Sequence, residues 1–215
     1  AVGPRINAAG RLSDITLGIE CLLADDADRA SELAAQLDAI NRERRQIESD
    51  MRDEALAETA APAPTRRTLV VMREHWHEGV VGLVASRLKD RHHRPTIAFA
   101  PSAAEPGTLR GSGRSIAGIH LRDVLDLVSK RHPGLILRFG GHAMAAGLSL
   151  PADGVARFAD ALEDAVAASA DPACFAAELI TDGPLAADDV DLDLVERLDA
   201  AVWGQGFPVP LFCDR

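Results

Sequence analysis

The chain has 215 residues, of which 47% are hydrophobic, so it can bury a core of one to two domains. No apolar run reaches the ~18 residues of a membrane span, which predicts a soluble protein without a membrane partner. The net charge of −10 argues, over the whole chain, against a nucleic-acid partner, because phosphate contacts need Lys and Arg.

The charge is distributed unevenly, and this changes the interpretation. Residues 1–60 carry 7 basic and 13 acidic side chains, and residues 151–215 carry 3 basic and 14 acidic ones. Residues 61–150 carry 13 basic and 6 acidic side chains and hold all seven histidines. A nucleic-acid surface is therefore expected in the middle segment, although abundant solvated arginine is the plainer alternative.

Cysteine usage and the N-terminus bear on the compartment and on the length of the protein. The three cysteines, at positions 21, 174 and 213, lie far apart and form no CxxC pair. This pattern fits a reducing cytoplasm and offers no thiolate metal site. The N-terminus has neither an initiator methionine nor a signal peptide, which indicates a piece of a longer protein.

The first quarter of the chain is predicted to be a loop followed by two helices. The first twelve residues are rich in Gly and Arg and predict a loop, and a helix follows over Ile15–Leu23. Asp26 can cap a long helix over 27–58, which at 1.5 Å per residue would be about 48 Å long. Apolar residues form one stripe on that helix, but the polar Arg44 lies within it. A spacer between two domains is therefore favoured over a coiled coil.

After the Pro-rich linker 61–64, strands alternate with helices, which indicates an α/β domain with a mixed sheet. The predicted elements are strand 68–72, helix 80–91, strand 96–100, a Gly-rich hairpin region through 110–114, helix 121–131, strand 135–139, a small-residue stretch over 143–150 and helix 153–168. A strand over 175–181, a short helix near 192–201 and a turn over 204–208 are predicted to begin a further domain.

Three glycine-containing segments predict an anion-binding surface built from loops. The segment Arg110–Ser115 combines glycines with Ser and Arg, which suit phosphate oxygens. The segment Phe139–Gly147 presents one histidine at a strand end, and Gly3–Arg11 adds two arginines and an asparagine. Each segment alone has a structural alternative: a glycine hairpin with a solvated Arg, or a buried structural His.

Several sharper motifs are excluded. The chain has no GxxxxGK[ST] phosphate-binding loop. His77 begins a segment like HExxH, but Val81 stands where the second histidine belongs, so no zinc protease site is expected. The sequence around Ser115 only partly matches a nucleophile elbow, because Ala117 replaces the last glycine.

In order along the chain, these motifs resemble the RecJ family of the DHH phosphoesterase superfamily. The resemblance is carried by GPRINAAGRL, WHEGVVGLVASRL, RPTIAFA, GSGRS, GGHAMAAGL and WGQGFPVPLF. It implies a 5′→3′ exonuclease on single-stranded DNA, used in repair and recombination with Mn²⁺ or Mg²⁺. The metals of that family lie on an N-terminal DHH domain, and no residue of this chain is expected to bind one.

The resemblance also implies domains and site residues. Residues 1–25 would end the DHH domain, 26–61 would form the connecting helix, 65–170 the DHH-associated domain and 173–215 the start of an oligonucleotide-binding (OB) domain. The expected phosphate-binding residues are Arg5, Asn7, Arg11, Arg110, Ser112, Gly113, Arg114, Ser115, Gly140 and Gly141. His142 is expected to face the scissile phosphate as the catalytic residue of the chain.

The expected partner is single-stranded DNA with a 5′ phosphate, together with other repair proteins. Two alternatives remain open. The chain could belong to a DHH phosphodiesterase that degrades short oligoribonucleotides or cyclic dinucleotides. It could instead be a non-enzymatic module whose long helix and acidic tail bind a protein.

Overall fold

The computed structural model of the protein describes residues 2–59, 66–204 and 206–213. Its elements are α1 (Gly3–Leu12), α2 (Thr16–Leu23), α3 (Ala27–Glu58), β1 (Leu69–Met72), α4 (Val81–His92), β2 (Thr96–Pro101), β3 (Thr108–Arg114), α5 (Leu121–Arg131), β4 (Arg138–Gly141), β5 (Ala145–Pro151), α6 (Val155–Ser169) and α7 (Leu192–Ala200). The predicted mixed α/β class is confirmed. The predicted linker 61–64 lies outside the described residues. No helix of the described residues is long and apolar enough to cross a bilayer.

The chain divides into two units, residues 1–176 and 177–215. The first unit contains the five-stranded sheet and helices α1 to α6, and the second contains α7. The domain limits proposed from the sequence stay predictions.

Helix α1 replaces the loop that was predicted for the first dozen residues, and that prediction was wrong. Glycine disfavours a helix by about 1 kcal/mol relative to alanine. Here packing outweighs this cost, because Ala8 and Ala9 are fully buried and α1 lies against α3. Gly10 and Gly18 allow the close approach of α1 and α2, since a β-carbon on Gly18 would lie 2.8 Å from Ile6.

Helix α3 packs on two different parts of the first unit, and its role as a spacer between two domains stays a prediction. Its first half, with Leu33 and Leu37 buried, contacts α1 and α2. Its second half packs Met51 and Ala55 against α4 in one hydrophobic cluster. The Asp26 side chain accepts a hydrogen bond from the backbone N–H of Arg29 at 2.8 Å, which caps the helix as expected.

The sheet has the strand order β1-β2-β3-β5-β4, with β1 and β2 parallel and the other pairs antiparallel. Strand β3 is therefore a central strand, and it forms an antiparallel hairpin with β2, in agreement with the hairpin predicted through 110–114. The remaining strand and helix predictions of this unit agree with the structure to within about three residues.

The two faces of the sheet carry different cores. On one face, α5 and α6 cover Ile97, Phe99, Leu148 and Leu150. The other face is covered by α4 where the sheet carries Val71, Ala98 and Ala100. Because side chains alternate along a strand, each strand contributes to both faces.

The second unit shows little regular structure besides α7. Asp191 caps α7 by accepting from the backbone N–H of Leu194 at 2.8 Å, and the Trp203 and Phe207 rings stack at 5.0 Å. The strand predicted over 175–181 is absent from the described residues, because a 3₁₀ turn over Pro172–Phe175 packs Cys174 and Phe175 on the core of the first unit. The predicted OB-domain start is not confirmed, and the described residues of 177–213 contain no strand.

We expect Gly111→Ala to destabilise the fold, whereas Gly140→Ala should not. A β-carbon at Gly111 would lie 2.3 Å from the Phe99 ring, which is fully buried and packs edge-on against Phe158 at 5.5 Å. Such overpacking costs about 1–3 kcal/mol. No described atom lies within 4 Å of a β-carbon at Gly140. Thermal melts of both variants check this, and equal melting temperatures would contradict the assignment of Gly111 to the core.

Candidate functional site

Strand β3 places three polar side chains of the predicted motif on one face of the sheet. Arg110, Ser112 and Arg114 alternate with buried residues along the strand. The ideal β-carbon position of Gly82, on α4, lies 2.9 Å from Ser112 Oγ and 3.0 Å from Arg114 Nη2. These side chains therefore lie on the face of α4, at the place where that helix begins.

Arg114 is held in position without an acidic partner among the described residues. Its Nη1 donates to Ser112 Oγ at 2.9 Å and to the Gly113 carbonyl at 2.8 Å. Burial, together with the nearby charge of Arg11, lowers the pKa of Arg114 from its ordinary value. A buried cation that is not neutralised favours an anion beside it.

Helix α1 delivers Arg11 to the same place. A β-carbon at Gly79 would lie 2.0 Å from the Arg11 carbonyl oxygen, so only glycine allows this contact. The Arg11 Nη1 donates to the Gly79 carbonyl at 3.2 Å. We call the resulting cavity of about 400 Å³ the Ser112 groove; its lining includes Arg11, His77, Glu78, Gly79, Val81, Arg110 and Ser112.

The beginning of α4 adds backbone donors to the Ser112 groove. Val81 is the first residue of this 12-residue helix and lines the groove. The first N–H groups of a helix have no partner within the helix, and they carry a partial positive charge. The groove therefore combines Arg11, Arg110, the Ser112 hydroxyl and a helix N-terminus, which suit a phosphate, with the Glu78 carboxylate, which lies beside Arg110.

The other predicted residues of α1 differ in their placement. Arg5 is tied to α3, with its Nη2 2.6 Å from Asp38 Oδ1, so it is engaged in a salt bridge rather than directed to the Ser112 groove. Asn7 is exposed one helical turn before Arg11 and therefore lies on the same side of α1.

Two predicted roles in the Arg110–Ser115 motif need correction. Gly113 does not serve an anion, because it faces the core, and a β-carbon there would lie 2.7 Å from Leu121. Its backbone belongs to a strand that is paired on both sides. The Ser115 hydroxyl is buried and donates to the Ile119 carbonyl at 2.7 Å, so the structure gives no support for a phosphate contact by this side chain.

The predicted Gly-Gly-His segment forms the turn between β4 and β5. Gly141 has φ of +145°, and a β-carbon there would lie 2.4 Å from the Ala145 carbonyl oxygen, so the turn itself requires glycine. His142 is exposed, and its backbone N–H donates to the Ala145 carbonyl at 2.8 Å. Gly140 lies on β4 opposite Gly147 of β5, on the same face as Ser112.

Sequence reasoning missed the residues that make room for the site. Gly82 leaves space for the Arg114 guanidinium, and Gly79 admits the end of α1. In WHEGVVG these two glycines are three residues apart, with Gly79 just before α4 and Gly82 in its first turn. This spacing is the sequence feature that could have indicated them. Gly147 and Arg138 were also missed, because neither stands out until the strand register is known.

The loop that carries His77 and Gly79 is braced by α3. Glu54 on α3 accepts a hydrogen bond from Trp76 Nε1 at 2.9 Å and contacts His75 Nε2 at 2.8 Å. The hydrogen bond from Trp76 and then that of His75 lower the pKa of Glu54 from its ordinary value of 4.5. Trp76 itself is buried with Met51 and Ala55, so the loop is fixed to the long helix.

The described residues provide no metal site of their own. Within residues 2–59, 66–204 and 206–213, no group of three or more His, Cys, Asp or Glu side chains could hold a metal ion.

Comparison with known proteins identifies the class of this chain. The DHHA1 domain model matches residues 66–168. The single-stranded-DNA-specific exonuclease RecJ of Salmonella typhimurium is 47% identical over 100% of the chain and 38% of its own length. The Bacillus subtilis RecJ is 39% identical over 72% of the chain and 19% of its own length.

Solved structures agree with this class. The structure of Thermus thermophilus RecJ in complex with Mg²⁺ has a TM-score of 0.80 and 31% identity to this chain. The match covers 97% of this chain and 31% of the Thermus chain. An exonuclease RecJ bound to manganese has a TM-score of 0.68 and 32% identity, and the match covers 80% of this chain and 41% of that chain.

The chain thus contains a DHHA1 domain and belongs to the DHH phosphoesterase class. It belongs to the RecJ family of single-stranded-DNA-specific exonucleases. It spans 38% of the length of the Salmonella relative.

We expect Glu54→Gln to remove a contribution to the free energy of unfolding that the wild type loses at low pH. Because the pKa of Glu54 is lowered on folding, its contribution is present in full above pH 4.5 and is lost as the pH falls through the lowered pKa. Chemical denaturation over a pH series should therefore show a difference between the wild type and the variant that shrinks on acidification. Glu43→Gln is the control, since Glu43 is exposed on α3 and forms no ion pair with a described residue. A difference that does not depend on pH would contradict this account.

Proposed function

We propose that this chain is the phosphate-holding part of a metal-dependent 5′→3′ exonuclease that acts on single-stranded DNA in repair and recombination. The observation that carries the proposal is Arg114, which is half-buried beside Ser112 and lacks a carboxylate partner among the described residues. Family membership supports the substrate class, since the relatives are named as single-stranded-DNA-specific exonucleases.

The Ser112 groove would hold the 5′-terminal phosphate or the backbone phosphate next to it. Arg114 presents a planar fork that matches two phosphate oxygens, and Ser112 keeps that fork in orientation. Arg11 and the first N–H groups of α4 would neutralise the remaining charge. Holding the phosphate in one position lowers the entropic part of the barrier to hydrolysis.

His142 would act at the scissile phosphate together with the backbone of Gly140 and Gly141. The β4–β5 turn presents the imidazole to solvent, where it can donate a hydrogen bond to a phosphate oxygen. This assignment rests on the resemblance and on the exposure of the side chain. Arg5 and Asn7 would line the DHH-domain side of the cleft, where Arg5 is paired with Asp38.

Hydrolysis itself would depend on Mn²⁺ or Mg²⁺ bound by DHH-domain residues. RecJ structures that resemble this chain are complexes with those ions. A divalent metal supplies a hydroxide nucleophile and Lewis-acid stabilisation in such sites. We further propose a cytoplasmic protein that works with other repair proteins, in accord with its dispersed free cysteines.

The two alternatives make different demands on the groove. A phosphodiesterase for short oligoribonucleotides or cyclic dinucleotides needs no extended binding path, whereas the sheet face continues beyond Ser112 to Gly147 and Gly140. A non-enzymatic protein-binding module does not need an arginine without an acidic partner at Ser112. These features favour the exonuclease.

We expect Arg114→Ala to weaken binding of 5′-phosphorylated single-stranded DNA by about 10- to 100-fold, because a charge-assisted hydrogen bond contributes about 1.5–3 kcal/mol. Arg114→Lys should recover only part of this, since lysine lacks the fork. Fluorescence anisotropy at several salt concentrations measures the effect. Arg122→Ala is the control, because Arg122 is exposed on α5, on the other side of the sheet. Unchanged affinity in Arg114→Ala would defeat the proposed site.

A nuclease assay with Mn²⁺ should show 5′→3′ degradation by the full-length protein and none by residues 1–215 alone. In the full-length protein, we expect His142→Ala to lower kcat without changing the melting temperature. A collapsed thermal transition would instead assign His142 a structural role. Turnover by residues 1–215 alone would contradict the division of labour proposed here.

A further inference from the structure

The sheet face next to the Ser112 groove is open. Helix α4 covers β1, β2 and part of β3, but its buried cluster includes no residue of β4 or β5. A second cavity, of about 440 Å³, lies over β3, β5 and β4, and we call it the Arg138 groove. Arg110 and Gly111 line both cavities, so the two grooves are adjacent.

Strand register places two arginines and a serine in one row across the Arg138 groove. Arg110 pairs with Ser149, and Ser149 pairs with Arg138 on its other side. Neighbouring strands lie about 4.8 Å apart, so the two arginine backbones are roughly 10 Å apart with one serine between them. The Ser149 hydroxyl forms no hydrogen bond with any described residue and lines the cavity. The row therefore presents donors on both sides of a central hydroxyl.

A row of small residues connects this basic row to Ser112. Ser112 pairs with Gly147, and Gly147 pairs with Gly140. Packing does not require glycine at either position, because the nearest described atom to a β-carbon is 3.9 Å away at Gly147 and beyond 4 Å at Gly140. A side chain at either position would fill the floor of the groove. The two glycines keep a path open between Ser112 and the basic row.

The arginines of the basic row differ from Arg114 in having acidic partners. Arg138 pairs with Glu105, and Arg110 Nε lies 3.6 Å from Glu78 Oε2. The Arg138 and Glu105 side chains are 68% and 45% exposed. Exposed pairs of this kind contribute little net stability, so an incoming phosphate can replace the carboxylate.

We infer that the row Arg110, Ser149 and Arg138 is a second phosphate subsite, which takes a backbone phosphodiester further along a strand whose terminal phosphate lies in the Ser112 groove. Glu105 stays paired with Arg138 until that phosphate binds. A ligand that is too weak or too short to displace Glu105 therefore does not fill the second subsite. The inference rests on the proposed function, because it extends the ligand that Arg114 holds.

The test compares a long ligand and a short ligand on the full-length protein in EDTA, which prevents cleavage. The long ligand is a fluorescent, 5′-phosphorylated oligothymidylate dodecamer, and the short ligand is thymidine 5′-monophosphate, used as a competitor. We expect Arg138→Ala to weaken dodecamer binding roughly tenfold and to reduce the salt slope by about 0.7, the value for one phosphate contact on a single strand. Binding of the monophosphate should not change. Glu105→Gln should strengthen dodecamer binding, because the competing charge is removed.

Arg114→Ala and Arg122→Ala separate the possible failures. Arg114→Ala should weaken both ligands, and Arg122→Ala should weaken neither. If Arg114→Ala acts as expected but Arg138→Ala leaves the dodecamer unchanged, the second subsite is wrong and the proposed function stands. Equal losses for both ligands in Arg138→Ala, or weaker dodecamer binding in Glu105→Gln, also overturn the subsite. No effect of Arg114→Ala on either ligand would remove the proposed function itself.

Discussion

The alternation of side chains along β3 decides how the rest of the first unit is arranged around the site. Gly111 and Gly113 point to the face where Phe99 and Leu121 pack, and Ser112 and Arg114 point to the face of α4. A shift of one residue in register would bury the arginines against the hydrophobic core and expose the glycines. The same seven residues therefore specify both the tight packing of one face and the polar surface of the other.

Helix α3 holds together parts of the site that are distant in the sequence. The groove needs α1 on one side and the loop before α4 on the other, and both are packed against α3. Glu54 fixes that loop through Trp76, while Leu33 and Leu37 lie in the half of α3 that holds α1. A helix of about 48 Å is long enough to support both contacts at once. Its length thus serves the geometry of the site.

The sequence predicted the elements whose periodicity is local and failed where tertiary packing decides. The limits of α3 and α5 were correct because capping by Asp26 and the helical spacing of apolar residues are visible in the sequence. α1 was missed because its glycines disfavour a helix until Ala8 and Ala9 are buried. In the Arg110–Ser115 motif, Ser112 lines the groove and Arg114 donates a hydrogen bond to Ser112, while their phosphate-binding role stays a prediction. Gly113 and Ser115 serve packing, which only the strand pairing reveals.

The arginines around the two grooves differ in what already neutralises them, and this orders the steps of binding. Among the described residues, Arg114 and Arg11 have no acidic partner, while Arg110 and Arg138 are paired with Glu78 and Glu105. An anion at Arg114 relieves an unneutralised, partly buried charge, and it need not displace a carboxylate from Arg114 itself. An anion at Arg138 must first displace a carboxylate. The terminal phosphate would therefore bind first, and the strand would then occupy the open face only if it is long enough to reach it. Under the proposed function, this order would let a chain with a net charge of −10 bind a polyanion, since the acidic side chains would act as local competitors rather than as a uniform barrier.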